Sequence, residues 1–146
     1  MVLGSSPGGG RHAVLWRVSD VHCLVASAVL TWIMVMVAAE LRTPTWTSAG
    51  ARLAFGNREA LPEATPIAAR ADRAAKNMLE NMVVFTALVA AARFAGADAS
   101  LGATVFLAAR IAYFAVYLAG ITYVRSAIWG VSLLGMLHIA VVAAIR

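Results

Sequence analysis

From Val21 to Ala39 the chain runs nineteen residues without an Asp, Glu, Lys or Arg. At 1.5 Å of rise per residue this makes a helix of roughly 28 Å, close to the thickness of the hydrocarbon core of a bilayer. Inside such a layer every backbone amide must find its partner within the chain, which leaves the helix as the way for a single segment to cross. Val37-Ala38-Ala39 resembles a signal-peptide cleavage site, but the apolar run exceeds the usual signal core of about 7–15 residues. The rest of the composition agrees with a membrane chain. Of 146 residues, 62% are hydrophobic and 13% charged, against about a half and a quarter in soluble domains. Too few charges remain to cover a water-facing surface, and the same balance excludes disorder.

Continued along the chain, this reading predicts four spans, at about 21–39, 70–96, 101–124 and 127–145, behind a polar, glycine-rich leader over 1–20. The hydrophilic stretch 40–69 holds Pro44, Pro62 and Pro66, and a connection of that length in so small a protein is often functional. Pro66 suits the first turn of the second long helix. Short connections at Asp98-Ala99-Ser100 and Arg125-Ser126 make successive spans antiparallel neighbours. The predicted fold is therefore all-α, an up-down four-helix bundle in the membrane. The loop side of that bundle carries Arg42, Arg52, Arg58, Arg70, Arg73, Lys76 and Arg125, the other side Arg11, Arg17, Arg93 and Arg146. The positive-inside rule then places the long loop in the cytoplasm and both termini outside. The net charge of +5 is read as orientation rather than as a nucleic-acid signal. The single Cys23 excludes an internal disulfide and a cysteine-based zinc site, and His22 and His138 show no ligand spacing, so no metal is expected.

The few polar residues inside the spans carry the functional signal. On the second span Arg70, Arg73, Asn77 and Glu80 fall at about 0, 300, 340 and 280°, a single arc. A solvated helix end with an intrahelical ion pair explains that arc. So does a site for a small zwitterion, with the planar Arg fork for carboxylates and Glu80 for an ammonium. On the third span Arg110, Tyr113 and Tyr117 share a face, and Arg110 lies near mid-span, where an arginine costs about 2.5–3.5 kcal/mol on insertion scales. It must face the bundle or an aqueous pocket. A structural pair with Glu80 is one expectation, and it is compatible with a site. Arg125-Ser126 reads either as a positive-inside residue with a helix cap, or as a guanidinium and hydroxyl able to stabilise a thiolate or oxyanion. Trp46 and Trp129 suit interfacial anchors.

The run Arg70-Ala71-Asp72-Arg73-Ala74-Ala75-Lys76-Asn77-Met78-Leu79-Glu80-Asn81, preceded by Phe55-Gly56-Asn57-Arg58, resembles the MAPEG family, the membrane-associated proteins in eicosanoid and glutathione metabolism. Ala109 to Tyr117, followed by Arg125-Ser126, is similar to the family's third helix and the turn after it. The resemblance implies a homotrimer of four-helix subunits that binds glutathione near the cytoplasmic face. By motif match, Arg73, Asn77 and Glu80 would hold the peptide, with Arg70 nearby. Arg110, Tyr113 and Tyr117 would line the site, and Arg125 or Ser126 would stabilise the thiolate. The chain departs from animal members at Ala75, commonly His there, and at Val84, often Pro. It is closer to the bacterial branch, as eleven Arg against one Lys also suggests, which implies a bacterial inner membrane.

The resulting expectation is a glutathione transferase-like membrane enzyme that activates the peptide's thiol for attack on a lipophilic electrophile or peroxide. Two other readings of the same residues are a small transporter of lipophilic ions that uses Glu80, and a non-catalytic bundle that assists a partner.

Overall fold

The computed structural model describes residues 19–57 and 61–146. The expected leader lies outside the described residues up to position 18, as does Arg58. The described chain is all-helical: α1 (Asp20–Arg42), α2 (Ser48–Phe55), α3 (Pro66–Phe94), α4 (Ser100–Ala119) and α5 (Thr122–Ala144). Three of these, α1, α4 and α5, are long and apolar enough to cross a membrane. At 29 residues α3 has the length as well, but its first half carries Arg70, Asp72, Arg73, Lys76 and Glu80.

Local chemistry sets most of the boundaries. Ser19 caps α1 by accepting the His22 amide. Pro66 opens α3, and the Thr65 hydroxyl accepts the Ala68 amide; the proline's missing donor costs nothing in a first turn. Thr47 caps α2 in the same way. This short helix falls inside the hydrophilic connection that the sequence predicts over 40–69. Its alanine- and glycine-rich eight residues are too short to show a helical period.

The last turn of the bundle is not where the charge pattern placed it. The third span was expected to reach Val124 and turn at Arg125-Ser126. Instead α4 stops at Ala119, and Gly120 turns the chain in the left-handed region (φ +80°). The amides of Gly120 and Ile121 fold back onto the carbonyls of Tyr117 and Val116, the paired bonds that close a helix at glycine. Arg125 and Ser126 therefore lie at the start of α5.

Helices α3 and α4 form the middle of the bundle, and α1 and α5 pack against both from opposite sides without touching each other. Phe85 of α3 stacks on Phe106 of α4, with ring centroids 4.0 Å apart and planes 13° from parallel; both are fully buried. Between α1 and α4, Cys23 Sγ lies 3.6 Å from Thr104 Oγ1. The α4–α5 hairpin closes most tightly at Gly102 and Gly135. A Cβ on Gly135 would meet the Gly102 carbonyl oxygen at 2.8 Å, and one on Gly102 would meet the Gly135 oxygen at 2.6 Å. Small residues let membrane helices approach closely. We expect Gly135→Val to destabilise the bundle by about 1–3 kcal/mol through overpacking. Thermal unfolding in detergent checks this, with Gly130→Ala, which meets nothing within 4 Å, as the unaffected control.

Candidate functional site

One face of α4 carries a ladder of rings and guanidinium groups. Phe106, Arg110, Tyr113 and Tyr117 recur at steps of four, three and four residues, which keeps them on one side of the helix. The Arg110 guanidinium carbon lies 5.2 Å from the centroid of Phe106 and 5.4 Å from that of Tyr113. Tyr113 meets Tyr117 edge to face at 5.3 Å. Arg125 of α5 completes the ladder, its guanidinium carbon 4.7 Å over the Tyr117 ring. All three cation–ring distances are inside the attractive range of about 6 Å.

Arg110 has no exposed surface, and its Nη1 donates to Asn77 Oδ1 at 2.7 Å. Asn77, rather than Glu80, is thus the α3 partner of the mid-span arginine. Three residues along a helix is a rotation of about 60° past the facing side, and Glu80 stands exposed on the outside of α3. The Nε and Nη2 of Arg110 are buried with no hydrogen-bond partner among the described residues. Arg110 takes one lone pair of Asn77 Oδ1 and fixes the orientation of the amide, whose two N–H donors remain for a ligand.

Two clefts meet at the outer end of the ladder. The first, about 310 Å³ between α3 and α5, is lined by Pro66, Ala69, Arg70, Arg73, Tyr117, Gly120, Thr122 and Arg125. Among the described residues it holds three guanidinium groups and no carboxylate. The second, about 250 Å³, is lined by Asn77, Tyr113, Tyr117, Arg125, Ser126 and Trp129. Tyr117 and Arg125 belong to both. Arg73 also lines a third, largely apolar cleft of about 540 Å³ between α1 and α3, walled by alanines, Val35, Leu61 and Leu79 together with Arg42, Thr43, Asp72 and Lys76. The α5 N-terminus, which has no side-chain cap, opens beside the first cleft, and its free amides add positive potential.

The structure thus brings Arg70, Arg73, Asn77, Tyr113, Tyr117, Arg125 and Ser126 to the two adjoining clefts. It leaves Arg110 behind them, acting on Asn77, and Glu80 outside both. Asp72 and Lys76 pair with each other at 2.8 Å. Ser126 Oγ donates to the Thr122 carbonyl at 3.3 Å, within its own helix. Trp129, expected only as an interfacial anchor, is a wall of the second cleft. Its position four residues after Arg125 is the helical spacing that makes them neighbours. Among the described residues no group of His, Cys, Asp and Glu is placed to hold a metal.

The pattern of the MAPEG family matches residues 21–145, nearly the whole chain. The chain belongs to the MAPEG family. No individual curated protein and no solved structure matches it. Membership puts this MAPEG chain among membrane proteins of the eicosanoid and glutathione class.

The buried Arg110–Asn77 bond yields a direct test. Asn77→Ala leaves a desolvated guanidinium without its acceptor, and we expect a loss of about 1.5–3 kcal/mol, as for hydrogen bonds to charged groups. Adding Arg110→Met should restore part of it, because the uncompensated charge is then gone. A double-mutant cycle on thermal unfolding reads the coupling.

Proposed function

We propose that this MAPEG chain is a membrane glutathione transferase-like enzyme that activates the peptide's thiol for attack on a lipophilic electrophile or peroxide. The observation that carries this reading is Arg125, a guanidinium stacked on Tyr117 where two clefts meet. A free thiol with a pKa near 8.5 is mostly protonated at neutral pH. A guanidinium in a partly desolvated cleft favours the thiolate, which is the nucleophile. Ser126 lies beside it in the second cleft, where its hydroxyl would turn from the Thr122 carbonyl to donate to the thiolate, and Tyr117 orients Arg125 through its ring.

Glutathione offers two carboxylates, one ammonium and two peptide groups. In this reading Arg73, with Arg70 in the same cleft, meets a carboxylate. The Asn77 N–H groups meet a peptide carbonyl, with Arg110 holding the amide and Tyr113 walling the cleft. Glu80 takes the ammonium from the outer surface of α3, and its exposure supports a site completed between subunits of a homotrimer. The apolar cleft that shares Arg73 offers the lipophilic partner a place beside the peptide, and proximity supplies much of the rate gain. With α3 as the fourth crossing, the long loop lies in the cytoplasm and both termini outside, in a bacterial inner membrane.

Purified protein in lipid nanodiscs should bind glutathione and conjugate a model electrophile. Arg125→Ala should lower kcat/KM by about 10²–10³, the usual cost of removing one preorganised donor, while glutathione affinity changes far less. Arg73→Ala combined with Glu80→Ala should weaken binding at least tenfold, about 1.4 kcal/mol. Wild-type binding and turnover in that double variant would sink the site assignment.

A further inference from the structure

Arg70 lines the cationic cleft, yet its guanidinium is engaged elsewhere. Its Nε donates to the Leu118 carbonyl at 3.1 Å. A Cβ built on Gly120 would stand 3.4 Å from Arg70 Nη1, 3.5 Å from Cζ and 3.7 Å from Nε. The guanidinium therefore lies against the bare Cα of the residue that reverses the chain between α4 and α5.

The end of α4 explains why that contact matters. The last four carbonyls of a helix have no partner within it. In α4, Val116 and Tyr117 are satisfied by the Ile121 and Gly120 amides, at 3.2 and 3.0 Å. The next carbonyl in line, Leu118, is the one that takes Arg70. A cation at a helix C-terminus also meets the negative end of its dipole. The clamp crosses from α3 to α4, 48 residues away in sequence. It sits on the short link between Tyr117 and Arg125, whose own amide bonds back to the Ile121 carbonyl.

We infer that Arg70 is a positioning residue: it locks the α4–α5 turn from α3 and thereby holds Arg125 over Tyr117. The clamp stands on this geometry alone. Its effect on a bound thiol rests on the glutathione reading. Without the clamp the Gly120 turn loosens, Arg125 swings off the Tyr117 ring, and the thiolate loses its counter-charge while the peptide's other contacts remain.

Two measurements on the full chain in nanodiscs test this, using Arg70→Met, Arg70→Lys and Arg73→Met. In the first, without ligand, exchange of the hydrogen-bonded amides of Gly120, Ile121 and Arg125 should accelerate about tenfold or more in Arg70→Met, and stay near wild type in Arg73→Met. Unchanged exchange in Arg70→Met overturns the clamp. In the second, thiolate absorbance of bound glutathione is titrated against pH. Arg70→Met should raise the bound thiol's pKa by about one unit, a tenfold fall in the thiolate-to-thiol ratio, with the Kd of the thiol form, measured well below that pKa, changed by less than about threefold. Arg70→Lys, which keeps one donor for Leu118, should recover a substantial part of that shift. A tenfold or greater rise in Kd at unchanged thiol pKa would make Arg70 a ligand contact and overturn the positioning role. Absence of glutathione binding by the wild type ends the transferase reading, and the exchange measurement then decides the clamp alone.

Discussion

A fully buried guanidinium in the centre of an apolar bundle is the constraint around which this molecule is arranged. Removing an ion from water is expensive, and an arginine at membrane depth survives only with partners. Arg110 has three: the Asn77 carbonyl and the faces of Phe106 and Tyr113. The rings lie on its own helix, four residues before and three after, so α4 supplies part of the compensation by itself. The acceptor comes from α3, which fixes the rotation of α3 against α4. Phe85 stacked on Phe106 lies next to that contact and extends it into the core. With both helices set in rotation, Tyr117 and Arg73 have no freedom to face anywhere but the same end of the bundle.

At that end the electrostatics run in one direction. Arg70, Arg73 and Arg125 line a cleft without a carboxylate, and the uncapped start of α5 adds its amides. Like charges held this close repel, more strongly where water is partly excluded. Part of the strain is relieved internally: Arg70 meets a backbone carbonyl, and Arg125 meets a ring. Arg73 has neither contact among the described residues, and it lines both the cationic and the largely apolar cleft. The surplus of positive potential is therefore concentrated at the point where an anionic peptide and a lipophile would come together.

How much of this was legible in the sequence depended on whether the signal was local. The start of α3 was readable because proline and a threonine cap act within one turn. The shared face of Arg110, Tyr113 and Tyr117 was readable because helical periodicity is arithmetic. The pairing of Arg110 with Asn77 was not, since Glu80 is the stronger electrostatic partner and only the packing of α3 on α4 turns it outward. The α4–α5 turn was hidden for a different reason. Gly120-Ile121 is as apolar as the spans on either side, so a hydropathy reading passes through it and stops at the first charge, Arg125. The gap between Tyr117 and Arg125 spans that turn, which is why a ring on one helix and a cation on the next end up stacked.

The outward face of α3 carries the argument one step beyond a single chain. Twenty-nine residues make a helix of roughly 43 Å, longer than a hydrocarbon core of about 30 Å. With α3 as the proposed fourth crossing and Phe94 at the far edge of that core, the near edge would fall about twenty residues back, close to Ala75. Arg70 and Arg73 then stand in the headgroup region, where cations are at ease. Glu80 lies about 7 Å below the boundary, on a side chain too short to reach back to it as a lysine would. It is exposed on the isolated chain. A carboxylate at that depth is not tolerated against lipid, so something polar must cover it. The same surface of α3 presents Ala87, Ala90 and Ala91 further along, small residues of the kind that let membrane helices approach closely. In the proposed homotrimer, a second copy of this chain would bring its own ligand or basic residues against Glu80 and pack on the alanines of the same surface.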